Sequence, residues 1–248
     1  MIGVPGGQPA SWPRPATSDI TAANSLNWAG YAVSRSHIRF AAIRATLFVP
    51  YLNCAKSPGA ALSSAWVGFD GFAGRAKSVE QGGIAANCTA AGKATYFGWW
   101  EMYPRAEMRA PLKVGAGDSV TASVSYDTGN YRISLTDNTR GSHFTVQRKC
   151  PHVKVGARLL RCPRNSAEVI TEAPATGRKL RIARLADYGA VSFAAISITD
   201  NRRATGTIVS SHWNATKITQ LRSSGGPILA RPTPTRADTF DAYWLRTA

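Results

Sequence analysis

The chain has 248 residues, 44% hydrophobic and 18% charged, which excludes a disordered protein and allows a core that needs no staples. Its formal net charge is +16, but the basic residues are scattered. The longest pieces are Arg178-Lys179-Leu180-Arg181 and Arg202-Arg203, far from the dense runs or known modules of a nucleic-acid binder.

The charge is therefore expected to serve solubility or adhesion to an anionic cell envelope, with no specific nucleic acid as partner. No stretch approaches the ~20 apolar residues of a membrane span, so no membrane insertion is expected. Residues 1–24 are rich in Pro, Gly and Ser and read as a flexible lead-in. Met1 to Pro15 lacks the layout of a signal peptide and reads as a truncated or processed segment. Residues 25–248 read as a single domain and a monomer.

From Asn27 to about Thr219 the pattern is short strands broken by turns. Ser119–Tyr126 alternates apolar and polar residues with period two. Tyr131–Leu135 repeats the alternation after a turn at Asp127-Thr-Gly-Asn130, and Phe144–Val146 and Val191–Ile198 continue it. No segment carries a long 3.6-residue stripe. The expected fold is all-β, an antiparallel sandwich of the concanavalin or jelly-roll kind. In the tail from Ser223, the aromatic cluster Phe240-Asp-Ala-Tyr-Trp244 is expected to pack back on the sheet.

The four cysteines, Cys54, Cys88, Cys150 and Cys162, form no CxxC pair and no Cys/His metal spacing. No metal and no cofactor is expected. An even count fits two disulfides in an oxidising compartment, against the competing reading of four free thiols in a cytosolic protein. Proximity in sequence pairs Cys54 with Cys88 and Cys150 with Cys162. His37, His143, His152 and His212 stand alone and read as surface or hairpin residues.

Four segments mix aromatic residues with isolated acids or amides. They are Asn27-Trp-Ala-Gly-Tyr31; Ser64-Ala-Trp-Val-Gly-Phe-Asp-Gly71 followed by Glu80-Gln-Gly-Gly83; Tyr96-Phe-Gly-Trp-Trp-Glu-Met-Tyr-Pro104; and Ala167-Glu-Val-Ile-Thr-Glu-Ala-Pro174 followed by Leu185-Ala-Asp-Tyr-Gly189. On an extended strand Glu168, Ile170 and Glu172 share a face, as do Phe97, Trp99, Glu101 and Tyr103. A carboxylate among rings is costly unless paired, and that cost raises its pKa, as at many functional sites. Acids capping Arg residues at strand ends are the competing reading. Other catalytic systems lack their signatures: there is no G-x-S-x-G elbow and no HExxH, and Asp127-Thr-Gly129 occurs once, in a hairpin turn.

The order of these segments resembles that of the glutamic peptidases (eqolisins), over roughly Asn27 to Ile198. The matches are Asn27–Tyr31, Trp66–Gly71, Gln81 with Gly83, Trp99–Pro104, and Ala167-Glu168 with Glu172. Met102 and Val169 stand where the family has Trp, and are expected to change the aromatic lining of the cleft. The resemblance implies a secreted endopeptidase acting on peptide or protein substrates at acidic pH, from a concave sheet face. It implies Gln81 and Glu168 as the catalytic pair, with Asp70, Trp66, Trp99, Glu101 and Glu172 supporting it or binding substrate. The alternative is a carbohydrate-binding or glycoside-hydrolysing sandwich using Glu101 and Glu168.

Overall fold

In the computed structural model, which describes residues 20–246 except 58, 74–76 and 178, each alternating run is a strand. The first are β1 (Thr21–Ser25), β2 (Trp28–Ser34), β3 (Phe40–Phe48), β4 (Ala61–Phe69), β5 (Val79–Cys88), β6 (Ala94–Tyr103) and the short β7 (Met108–Arg109). A meander follows: β8 (Ser119–Asp127), β9 (Asn130–Asp137) and β10 (Ser142–Arg148). Next come the two-residue β11 (Lys154–Val155) and β12 (Arg158–Leu159), then β13 (Ser166–Glu172), and the small hairpin β14 (Ala175–Thr176) and β15 (Arg181–Ile182). The chain closes with β16 (Ala190–Asp200), β17 (Thr205–Gly206), β18 (Asn214–Leu221), β19 (Ile228–Pro232) and β20 (Phe240–Trp244).

Most strands join one sheet, in the order β10-β9-β8-β3-β16-β20-β19-β18-β2-β13-β4-β5-β6-β7. The sheet doubles back, so β4 and β5 pack across the core against β8, and β3 packs against β4 and β13. Alternation explains this burial. In β8, Val120, Ala122 and Val124 point inward, where they join Ile43, Leu47, Val67, Ile84, Ile133 and Val169 in one apolar cluster. The pairing is antiparallel throughout this path; β1 alone among the described strands pairs in parallel, with β18. β1 takes up residues assigned above to the lead-in, while residues 1–19 lie outside the described ones.

The C-terminal aromatic segment forms β20, between β16 and β19. Its Phe240 stacks on Phe193, with ring centroids 4.7 Å apart, and meets the edge of Tyr31 at 4.9 Å. Cys54 bonds Cys88 and Cys150 bonds Cys162, the expected pairing. All four histidines are exposed. Among the described residues no helix is long and apolar enough to cross a membrane.

Candidate active site

Strand register brings the acidic and amide side chains together. Glu168 on β13 pairs with Gly68 on β4, Gly68 with Gln81 on β5, and Gln81 with Glu101 on β6. Directly paired residues share a face, so Glu168, Gln81 and Glu101 form one row on the side of this layer turned away from the main core. The adjacent row is Ile170, Trp66, Gly83 and Trp99. Ile170, Trp66 and Trp99 form a second apolar cluster, with Trp28 and Phe97 packed against it. The chemistry therefore sits on an aromatic floor that is separate from the core.

Two glycines make this packing feasible. A Cβ on Gly68 would stand 2.9 Å from the Gln81 Cβ and 2.8 Å from the Glu80 carbonyl oxygen. Gly68 thus adds no side chain of its own between Glu168 and Gln81, and the Trp66 ring lies over it, with Cζ3 3.2 Å from where that Cβ would stand. At Gly30, in the first motif, φ is +147° and a Cβ would collide with the carbonyl of Val169, so β2 can lie against β13 only with glycine there. The same motif supplies Asn27, whose Nδ2 donates to Glu172 Oε1 at 2.8 Å, and Tyr31, whose hydroxyl donates to the Thr233 carbonyl at 2.6 Å.

A hollow of about 560 Å³ opens over the Gln81–Glu101 end of the row. Its floor carries Trp28, Gln81, Trp99, Glu101 and Glu172; its walls are Tyr103–Glu107 on one side and Pro174, Ala175, Gly177 and Leu180 on the other. Gln81 Nε2 donates to Glu101 Oε2 at 2.6 Å. Burial pushes the Glu101 carboxyl up to about 7; the Gln81 bond pulls it down and the Glu107 charge pushes it further up. Glu172 also accepts from Trp66 Nε1, at 2.8 Å. Burial raises it to about 7 against the bonds from Trp66 and Asn27 and the nearby Trp28 indole N–H, and Glu101 adds repulsion. Both acids therefore gain a proton near neutrality.

Glu168 lies outside this wall. It is wholly buried, and neither carboxyl oxygen has a hydrogen-bond partner of ordinary geometry. Burial holds its pKa well above the usual carboxylate range; the Ser166 hydroxyl and Phe72 amide lower it, and the Asp70 and Glu80 charges raise it. Burial thus favours the neutral form of the Glu168 carboxyl.

Asp70 is also buried, at the end of β4, in a left-handed conformation with φ +68°. Its carboxylate accepts 2.8 Å bonds from the backbone N–H groups of Arg164 and Asn165. It lies at the Glu168 end of the row and does not line the hollow. Trp66 likewise does not line the hollow and is joined to it by its bond to Glu172. Glu80, next to Gln81 but on the opposite face of β5, is fully buried against Asp70. Burial first, then the Asp70 charge, keeps its proton on well above the usual range. Glu80, Gly68 and Glu107 were not singled out from sequence. Alternation in Glu80-Gln-Gly-Gly83 was the available signal for the first.

The expectation for Met102 and Val169 is corrected. Both belong to the main core cluster, on the faces of β6 and β13 opposite to Glu101 and Glu168. Neighbouring residues on a strand point to opposite sides, so these departures from the family pattern leave the aromatic lining of the hollow unaltered.

The chain matches the model of the Peptidase A4 family over residues 26–233. It is similar in structure to scytalido-glutamic peptidase, solved with a transition state analog inhibitor, at 22% identity and TM-score 0.71, covering 89% of this chain and 98% of that one. It is also similar to SCP-B, a member of the eqolisin family solved with the tripeptide Ala-Ile-His, at 20% identity and TM-score 0.67, with the same coverage. Comparison with curated protein sequences returns no match.

Proposed function

The chain belongs to the Peptidase A4 family and is a glutamic-type peptidase, and we propose that Glu168 and Gln81 are its catalytic pair. The observation that carries this reading is their placement in one register row on one face, flanking Gly68. Two strand spacings put their backbones about 10 Å apart. Gly68 places no side chain of its own between them, so both reach one water and one substrate carbonyl once the Trp66 ring that lies over Gly68 moves aside.

Glu168 takes a proton from the water as its oxygen attacks the carbonyl carbon. It returns that proton to the amide nitrogen as the C–N bond breaks. Gln81 orients the water and donates an N–H to the oxyanion. Its bond to Glu101 uses one of the two amide hydrogens and leaves the other for this task. Entry of water and substrate solvates Glu168 and brings its pKa down, so the base form belongs to the occupied site.

Acidic working pH follows from the neighbours. With Glu101 and Glu172 protonated, the cleft holds less negative charge facing the oxyanion. The enzyme acts on peptide or protein substrates as a monomer outside the cell, a location that its two disulfides favour.

The glycosidase reading is disfavoured by the same register. Glu101 and Glu168 are three strand spacings apart, about 14 Å between backbones, and the Glu101 carboxyl is bonded to Gln81. A glycosidase holds both carboxyls at its cleft, about 5–9.5 Å apart, whereas Glu168 lies outside the hollow that Glu101 lines. The deciding experiment is hydrolysis of a protein substrate across acidic pH by the wild type and Glu168→Gln. The variant keeps the shape and loses the proton carrier, so hydrolysis should vanish while the fold remains. Wild-type turnover in Glu168→Gln would refute the pair.

A further inference from the structure

A second hollow, of about 330 Å³, lies on the far side of the cleft wall. Strand alternation separates the two: Glu101 faces the cleft, while Trp100 and Met102 face the second hollow. Met108 pairs with Trp100 across β6 and β7 and completes an apolar floor; it is 52% exposed. The rim is Arg105, Arg148 and Lys149. The Arg148 guanidinium sits 4.7 Å from the centre of the Trp100 ring. Arg148 ends β10, and Lys149 precedes Cys150, which is tied to Cys162, so a disulfide anchors this side of the rim. No acid lines the hollow, and none of its three cations forms an ion pair, among the described residues.

We propose that this hollow binds the C-terminal end of a peptide, holding the α-carboxylate on its cationic rim and an apolar last side chain on its floor. Three unpaired cations select an anion, and guanidinium forks match a carboxylate in shape. The exposed Met108 thioether beside the Trp100 indole, with the buried Met102 behind them, gives an apolar surface for an aromatic or branched side chain. A volume of about 330 Å³ suits one residue better than a long acyl chain. The occupant is named on the strength of the peptidase reading, because each cleavage next door creates a new α-carboxylate. Arg105 and Ala106 line both hollows, so a bound product would rest against the cleft wall.

Calorimetric titration of the full chain with N-acetyl-phenylalanine, N-acetyl-phenylalaninamide and decanoate tests this. The acid should bind the wild type, and the amide should bind at least about tenfold more weakly for loss of one charged contact. Met108→Glu, at an exposed position outside the cleft, should abolish acid binding while retaining turnover; Arg148→Gln should weaken it. Equal binding of acid and amide overturns the proposal. So does undiminished binding to Met108→Glu, which would place the acid in the cleft, or tighter binding of decanoate, which would mark a lipid site. Hydrolysis is measured on the same samples. A protein that cleaves substrate but does not bind the acid refutes the second site alone; one that binds the acid but cleaves nothing refutes the peptidase reading alone.

Discussion

Gln81 and Glu101 are joined across adjacent strands by a 2.6 Å hydrogen bond from amide Nε2 to carboxyl Oε2. The amide that would hold the oxyanion is therefore oriented before substrate arrives, and its anchor titrates near neutrality. Glu101→Ala should leave the fold intact and lower kcat by up to about 10²-fold, the scale of a misplaced catalytic group. Glu101→Gln keeps a neutral partner and removes the titration. Its kcat/KM should fall less steeply than wild type as pH rises through about 7. Profiles that superimpose would show that Glu101 does not set the neutral limb.

Stability should also depend on pH, in a direction fixed by the buried acids. Glu101 and Glu172 are raised to about 7, and Glu80 and Glu168 are held well above the usual carboxylate range. The folded protein thus binds more protons than the unfolded chain, and stability falls as pH increases. Their contribution is fully present below the ordinary glutamate range and is lost as pH rises through about 7 and beyond. Thermal unfolding should give a higher Tm at pH near 4 than at pH near 8. A Tm that rises toward alkaline pH would mean that these carboxyls are paired with charges the structure does not contain.

Val169 and Met102 permit a separate check on the division between core and cleft. Val169→Trp restores the residue type of the family pattern but inserts a large ring among tightly packed neighbours. It should cost about 1–3 kcal/mol by overpacking and leave cleavage-site preference unchanged. Denaturant unfolding and product mapping on one peptide library measure both. A changed preference with unchanged stability would put the side chain back in the cleft.

The strands were legible because half-buried antiparallel strands alternate, and Ser119–Tyr126 and Val191–Ile198 carry that alternation without interruption. The tail was legible because Phe240-Asp-Ala-Tyr-Trp244 is too aromatic to leave in solvent. β1 was not, since Thr21-Ala-Ala-Asn-Ser25 has no apolar face of its own; it is held through its parallel pairing with β18 and a 2.8 Å contact between the hydroxyls of Thr21 and Thr216. The site was half legible. One-face groupings such as Glu168, Ile170 and Glu172 follow from period two, but which row meets which depends on register, and register is a tertiary property. That is why the seclusion of Glu168 from the hollow, the Gln81–Glu101 bond and the inward turn of Met102 and Val169 emerge only in three dimensions.

Gly68 makes the strictest demand on the proposed pair. It stands between Glu168 and Gln81 in the row, and a methyl group there would lie 2.8 Å from the Glu80 carbonyl oxygen and 2.9 Å from the Gln81 Cβ. The first contact is with backbone, so β5 must shift; the second drives Gln81 out of line with Glu101. Gly68→Ala should destabilise the fold by about 1–3 kcal/mol. It should also reduce kcat by far more than that loss explains, since a folded fraction near one at 25 °C is compatible with a displaced oxyanion donor. Circular dichroism and kcat measured together at 25 °C separate the two effects. If Gly68→Ala melts earlier but turns over at the wild-type rate, the gap between Glu168 and Gln81 is not where the water and the carbonyl meet.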